Sequence, residues 1–167
     1  HPMLSYPLID PALEQALRED LSGGDLSAES CVETGQQAVA QALAKSPLVV
    51  CGGAVFRRVF ELVDASIEFE GLVPDGRKVP AKTILWKVRG PARALLSAER
   101  TALNFVQRMS GVATLAERYT AALPEDSTTR ITDTRKTTPG LRLFERYAVR
   151  TGGAHNHRND LGSAVMI

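Results

Sequence analysis

The segment that most constrains this chain is residues 130–158. A β-like run, a basic turn, a helical pattern, a glycine stop and a second basic turn follow one another there, leading towards another strand. The segment holds seven Arg or Lys residues against two acids, whereas the whole chain has a net charge of +1. Cations directly after a strand lie where α/β folds bind ligands, and the arginine fork suits carboxylate or phosphate. The segment therefore predicts a site for a small polyanion.

The helical pattern in this segment has defined expected ends. Thr138 suits the N-cap and Pro139 the first helical position, while Gly152-Gly153 is expected to end the helix. Its apolar residues at helical spacing are Leu141, Phe144 and Ala148. A strand-like run at 164–167 closes the chain.

The cations of the segment are not all expected to bind the ligand. Three recur every four residues and predict a solvated helix face: Arg142, Arg146 and Arg150. Arg135 and Lys136 lie in a turn rich in Thr, Pro and Gly, where packing does not require two adjacent cations. A ligand role is favoured for that pair, whereas His157 is compatible with either a structural or a ligand role.

The first hundred residues predict an α/β sandwich with an antiparallel or mixed sheet. The predicted helices and strands are residues 11–21, 54–63, 67–71 and 83–88, with two further strands meeting around 45–47. Asp10 is the predicted N-cap of the first helix. A long helix begins near Ala92, with Arg108 on a solvated face, and Ser110-Gly111 is expected to kink or break it. Asp25 could be catalytic, although a turn or cap role is favoured.

Composition and cysteine usage narrow the class of protein. The 44% of hydrophobic residues suits a globular protein of one or two domains. No apolar run approaches the roughly 18 residues of a membrane span, and no signal peptide is recognised. Cys31 and Cys51 fit neither a disulfide framework nor a zinc site, which predicts a reducing, cytoplasmic location. No basic arm is interleaved with aromatic residues, so neither nucleic acid nor membrane is an expected partner.

Four stretches, in order, resemble the quinolinate phosphoribosyltransferase family, the carboxylating nicotinate-nucleotide pyrophosphorylases of NAD synthesis. They are R-E-D-L-S-G-G-D-L-S at 18–27, A-E-R-T-A-L-N-F-V-Q-R-M-S-G-V-A-T at 98–114, D-T-R-K-T-T-P-G-L-R at 133–142 and Y-A-V-R-T-G-G-A-H-N-H-R at 147–158. The resemblance extends from about residue 8 to the last residue. Four motifs in the same order make it far more specific than a lone glycine pattern.

The resemblance implies a fold, an assembly and a reaction. The fold is an α/β sandwich domain, residues 1–103, followed by an α/β barrel domain that begins in residues 104–167. The assembly is a homodimer, or a higher homo-oligomer, with each sandwich over its partner's barrel and shared active sites. The reaction joins quinolinate to phosphoribosyl pyrophosphate with Mg²⁺ and yields nicotinate mononucleotide, pyrophosphate and carbon dioxide. Metal ligands are not expected within these residues.

The same resemblance implies which residues bind the substrates. Quinolinate carries two adjacent carboxylates, so its pocket requires several clustered cations. Arg100 would reach the quinolinate of the partner subunit, and Lys136 could contact quinolinate or the phosphoribosyl group. The expected substrate-binding residues are Arg100, Thr134, Arg135, Lys136, His157 and Arg158. The protein would supply electrostatics and positioning, with no nucleophile of its own.

Three features differ from the family pattern. Ala154 replaces a glycine, and Asn159-Asp160 follow the second basic turn, where the acid would weaken an anion site if it pointed inward. About 40 residues follow Pro124, whereas a closed barrel needs roughly 200. A chain that ended at Ile167 is therefore expected to be inactive and poorly stable alone.

Two other interpretations stay open at this point. One is a paralogue of the same fold, such as the ModD-like proteins of molybdenum transport, acting on another anionic base. Asn159-Asp160 favours it, whereas the N-H-R and D-T-R-K-T sequences disfavour it. The other is a non-catalytic dimerisation module that lacks the rest of a barrel.

Overall fold

The computed structural model describes residues 4–165 and mixes helices with strands, which confirms the predicted α/β class. The elements in chain order are α1 (Tyr6–Leu21), α2 (Leu26–Cys31), β1 (Gln37–Leu43), β2 (Leu48–Val49), α3 (Gly53–Val63), β3 (Glu68–Gly71), β4 (Lys78–Val79), β5 (Ile84–Pro91), α4 (Ala92–Ala121) and α5 (Arg142–Thr151). None of the helices in this range is long and apolar enough to cross a membrane. Of the predicted final strand, Ala164 and Val165 are not in a strand, and residues 166–167 lie outside the described range.

The first part of the chain forms an antiparallel sheet in the order β1-β5-β3, with β5 in the centre. Gln37 pairs with Pro91 on one side of β5, and Glu68 pairs with Arg89 on the other. β2 pairs instead with β4 in a separate two-stranded sheet. The two strands that flank residues 45–47 therefore belong to different sheets.

The core lies where α3 and α4 meet the central strand. Trp86 of β5 is 1% exposed, and its ring centroid lies 5.0 Å from that of Phe56 on α3. The indole N–H donates to the carbonyl of Val73 at 3.2 Å. A buried aromatic ring with a satisfied polar atom is a strong stabilising element of a core.

Helix α4 continues through Ser110 and Gly111, so the predicted break is wrong. The buried Ser110 hydroxyl accepts from the N–H of Cys51 and donates to its carbonyl, both at 3.1 Å. Thr114 Oγ1 accepts from the N–H of Val49 at 2.9 Å. These hydroxyls satisfy backbone groups of Val49 and Cys51 that would otherwise be left without partners. These long-range contacts outweigh the low helix propensity of Ser and Gly.

Two predicted helix starts are also wrong. Helix α1 begins at Tyr6, so Asp10 lies inside the helix and binds Arg58 on α3 with N–O distances of 2.7 and 2.8 Å. Helix α5 begins at Arg142, and Thr138 with Pro139 forms part of the preceding turn. Gly140 has φ of +79° in that turn, a conformation that glycine adopts without steric cost and that prevents the helix from extending backwards.

Asp25 is the N-cap of α2, which confirms the favoured prediction. Its carboxylate accepts from the N–H of Ala28 at 3.0 Å and from the Ser97 hydroxyl at 2.9 Å. These two hydrogen bonds stabilise the ionised form and lower the pKa of Asp25. Asp25 therefore ties α2 to α4.

Candidate functional site

The first basic turn contains Arg135 and Lys136, and the second contains His157 and Arg158. Each turn follows a short segment, and the two segments lie side by side and run parallel. Thr132 and His155 form a parallel bridge. The His155 N–H donates to the Ile131 carbonyl, and the Asp133 N–H donates to the His155 carbonyl, both at 2.9 Å. The predicted strand at 130–133 is thus reduced to a single bridge, but helix α5 still brings both turns to the same edge.

An open cleft of about 510 Å³ lies at this edge. Its lining residues are Thr132, Asp133, Thr134, Arg135, Lys136, His157 and Arg158. Five of the six residues that the sequence assigned to substrate binding therefore line one cleft. Arg100, the sixth, is exposed on α4 and does not line it.

Arg135 carries a buried polar atom that the described residues leave without a partner. Its Nε atom is buried and has no hydrogen-bond partner among residues 4–165. Leaving a buried donor unpaired costs about 1–3 kcal/mol. Arg135 also lines the open cleft, and this position makes its guanidinium group a candidate for binding an anion.

Helix α5 holds both turns through residues that the sequence predicted to be solvated. Arg142 donates through Nε to Thr137 Oγ1 and through Nη1 to the Asn159 carbonyl, both at 3.1 Å. Arg146 donates through Nη2 to the His157 carbonyl at 2.8 Å, and its side chain is only 13% exposed. The solvated-face prediction is therefore wrong for these two arginines, whereas Arg150 is exposed.

Asp133 is the residue at this site that sequence reasoning missed. Its side chain is 6% exposed, and its Oδ1 accepts from the backbone N–H of His157 at 2.6 Å. Its Oδ2 lies 3.4 Å from Arg146 Nη1, and the surroundings of Asn156 orient that side-chain amide to donate to the same oxygen at 2.9 Å. The sequence did contain a signal for this role, since Asp133 directly precedes a basic turn and an arginine follows on the next helix.

Arg108 on α4 connects the long helix to the first basic turn. It donates to Glu145 of α5 and to the Thr138 hydroxyl, while Glu145 Oε2 accepts from the Thr138 N–H at 3.2 Å. The expectation that Arg108 is merely solvated is therefore wrong, although its side chain is 49% exposed. Glu145 thus links α4, α5 and the turn that precedes α5.

Replacing Glu145 with glutamine is expected to lower the free energy of unfolding by about 1 kcal/mol at pH 7. Burial acts to raise the pKa of Glu145, but the hydrogen bonds from Arg108 and Thr138 outweigh it and hold the pKa below its usual range. A lowered pKa in the folded state stabilises the protein above the unfolded pKa, and this contribution is lost as pH falls through the folded value. Urea denaturation should therefore show a difference between wild type and E145Q that shrinks below about pH 4. A difference that stayed constant with pH would contradict this assignment.

The two local departures from the family pattern have structural explanations. Asp160 does not line the cleft, since its Oδ1 accepts from the Gly162 N–H at 3.0 Å and the Ser163 hydroxyl at 2.6 Å. Among the described non-glycine residues, Lys82 alone has a positive φ, so Ala154 occupies a backbone conformation open to any residue. Neither departure places an opposing group in the cleft.

A larger cavity of about 690 Å³ lies beside α5 and contains none of the six predicted substrate-binding residues. Asp75 at its edge accepts from the N–H groups of Gly52 and Gly53, at 2.8 and 3.0 Å, and from the Tyr147 hydroxyl at 2.8 Å. Burial and the Asp75 carboxylate raise the pKa of Tyr147, so its hydroxyl stays protonated as the donor. Asp75 therefore anchors α5 to the first part of the chain.

The residues that the structure describes do not fit a magnesium site. Within 4–165, no three His, Cys, Asp or Glu side chains are grouped as metal ligands. Asp133, the one acid lining the cleft, is already engaged by Arg146 and the His157 N–H. The described residues of the cleft would therefore bind the ligand directly, without a metal ion held by their own side chains.

The comparisons with known proteins identify the family. The model of the quinolinate phosphoribosyl transferase N-terminal domain matches residues 25–110, and that of the C-terminal domain matches residues 112–167. The chain belongs to the quinolinate phosphoribosyl transferase family. This confirms the resemblance drawn from the sequence motifs.

Individual relatives agree with this assignment. The chain is 44% identical to a probable carboxylating nicotinate-nucleotide pyrophosphorylase of Synechocystis sp., over 99% of this chain and 57% of the relative. It is 41% identical to the Bacillus subtilis protein of the same description, over 89% of this chain and 51% of the relative. The crystal structure of NadC from Streptococcus pyogenes matches with a TM-score of 0.96 at 41% identity, covering all of this chain and 59% of that one. The chain thus spans about half the length of the curated relatives it matches.

Proposed function

We propose that the protein containing this chain transfers the phosphoribosyl group from phosphoribosyl pyrophosphate to quinolinate, with loss of carbon dioxide. The products would be nicotinate mononucleotide and pyrophosphate. Family membership supports this reaction class. The single observation that carries the proposal is the cleft in which Arg135, Lys136, His157 and Arg158 lie together.

The charges of the cleft match the substrate. Quinolinate presents two adjacent carboxylates, and two arginines with one lysine line the cleft against a single acid that is itself paired. Arg135 and Arg158 would each bind a carboxylate by charge-assisted hydrogen bonds, and His157 would add a donor. Fixing both carboxylates orients the ring nitrogen towards the ribose carbon that it attacks as pyrophosphate leaves. The residues of this chain would therefore act by binding and orientation.

Lys136 and Thr134 are proposed to lie where quinolinate meets the phosphoribosyl group. Both line the cleft beside Arg135, and Lys136 is exposed. A compact ammonium group at this place can neutralise either a quinolinate carboxylate or a phosphate of the second substrate. Magnesium would accompany phosphoribosyl pyrophosphate, with ligands other than the described residues.

The assembly is proposed to be a homodimer or a higher homo-oligomer in which Arg100 completes the cleft of the partner subunit. Arg100 is exposed on α4 and does not line the cleft of its own chain. The proposed domains are residues 1–103 and 104–167, with α4 crossing from one to the other. The proposed location is the cytoplasm.

Isothermal titration with quinolinate and with nicotinate tests the function. Quinolinate is expected to bind at least about ten times more tightly, because nicotinate lacks one of the two carboxylates and each charged hydrogen bond contributes about 1.5–3 kcal/mol. Turnover of quinolinate with phosphoribosyl pyrophosphate is measured on the whole gene product. Equal affinity for the two ligands, or preferred turnover of another anionic base, would favour a paralogue. Absence of binding together with absence of turnover would favour a non-catalytic module.

A further inference from the structure

We propose that Asp133 and Arg146 are positioning residues, which hold the two basic turns of the cleft in place and keep backbone carbonyls away from the anionic ligand. The inference concerns how the cleft is built, and its binding readout rests on the proposed function. Neither residue is required to touch the substrate.

A carboxylate beside the first basic turn fixes the backbone of the second. Asp133 immediately precedes the first turn, and its Oδ1 accepts from the N–H of His157 in the second turn at 2.6 Å. The Asp133 side chain is 6% exposed, whereas His157 lies among the exposed residues, so the carboxylate holds the second turn from its inner side. The short parallel pairing between Thr132 and His155 ends here, and the carboxylate continues the connection where backbone pairing stops.

Arg146 binds two backbone carbonyls of the second basic turn. Its Nη2 donates to the His157 carbonyl at 2.8 Å, and its Nη1 donates to the Arg158 carbonyl at 3.1 Å. Both carbonyl oxygens would repel the carboxylates of an anionic ligand if they faced the cleft. Because Arg146 engages them, the second turn can present the side chains of His157 and Arg158 without that repulsion.

The charge of Asp133 also has to be compensated. A carboxylate beside an anion site would weaken binding unless its charge were compensated. Arg146 lies 3.4 Å from Asp133 and compensates it, although Arg146 does not line the cleft. Removing Arg146 therefore has two consequences, since the second turn is released and Asp133 is left with an unpaired charge beside the ligand.

These contacts predict an ordered series of quinolinate affinities, which isothermal titration measures. Arg146→Met is expected to weaken binding about 30-fold and Arg146→Lys only about 3-fold, since lysine keeps the charge but not the fork. Asp133→Asn, which keeps the acceptor for the His157 N–H, is expected to weaken binding about 3-fold. The double variant is expected to bind better than Arg146→Met alone, because the unpaired charge is gone. Additive losses would mean that the charge of Asp133 does not act on the ligand.

Arg150→Met is the matched control, since Arg150 lies four residues further along the same helix face, is exposed and does not line the cleft. It is expected to bind quinolinate like wild type. Equal affinities of Arg146→Met and Arg150→Met, or additive losses in the double variant, would overturn the proposal.

A second readout needs no ligand. Hydrogen exchange of the His157 amide is expected to be protected in wild type and in Arg150→Met, and about tenfold faster in Arg146→Met. If wild type binds no quinolinate, the proposed function fails, and this exchange rate decides the positioning proposal by itself. Unchanged exchange in Arg146→Met would then overturn it.

Discussion

Replacing Gly152 with alanine is expected to lower the free energy of unfolding by about 3 kcal/mol, because α5 ends in direct contact with the backbone of α4. A Cβ atom at this position would lie 2.2 Å from the Ala113 carbonyl oxygen and 2.8 Å from the Ala116 Cβ. Neither atom is the end of a flexible side chain, so relief requires one helix to move away from the other. The φ of Gly152 is −77°, which alanine adopts easily, and the whole effect is therefore steric.

Gly111→Ala is the matched control within α4. Apart from its chain neighbours and the backbone of its own helix, no atom lies within 4 Å of a Cβ built there, and the residue is helical and exposed. Alanine at this position is expected to raise the free energy of unfolding by up to about 1 kcal/mol. Urea denaturation followed by the fluorescence of Trp86, the single tryptophan of the chain, measures both variants. Equal stability of Gly152→Ala and wild type would mean that α5 does not pack on α4 as described.

Replacing Arg135 with methionine is expected to weaken quinolinate binding about 100-fold, the largest effect on affinity among single changes in the cleft. The side chain loses the positive charge and the guanidinium donors that Arg135 brings to the lining of the cleft. Methionine keeps much of the apolar stem, so the cleft is not emptied. Isothermal titration with quinolinate measures the change.

Arg118→Met provides the comparison for this loss of charge. Arg118 is an exposed arginine of α4 that does not line the cleft. Its replacement is expected to leave the dissociation constant within about twofold of wild type, since exposed charges away from a site are strongly screened. A similar loss in both variants would show that net charge, and not the cleft, governs binding.

Much of the site was predictable because its signals are local. Arg135 and Lys136 follow a β-like run within a few residues, and the second basic turn follows a glycine stop. Such patterns depend only on neighbouring residues. They predict a ligand site because α/β folds bind ligands at the carboxyl ends of their strands. The structure brings five of the six predicted residues into one cleft, while their roles remain predictions.

The boundaries of the helices were predicted less well, since caps and breaks compete with tertiary contacts and with the backbone conformation of adjacent residues. Ser110 in α4 has a sequence pattern typical of a break, yet its hydroxyl bonds both backbone groups of Cys51. Pro139 has the pattern of a helix start, yet Gly140 adopts a positive φ directly after it. The helix continues at Ser110 because of a residue 59 positions away, whereas it does not begin at Pro139 because of the residue that directly follows.

Residue types at short spacing are enough to predict the family, the α/β class and the two basic turns. Tertiary structure alone decided the role of the arginines on α5. Arg146 and Arg150 are both arginines, four residues apart on one helix face, yet the first is 13% exposed and the second lies among the exposed residues. The parallel pairing of Thr132 with His155 brings Asp133 and two carbonyls to Arg146, and burial of these groups requires the cation there. No local pattern contains that information.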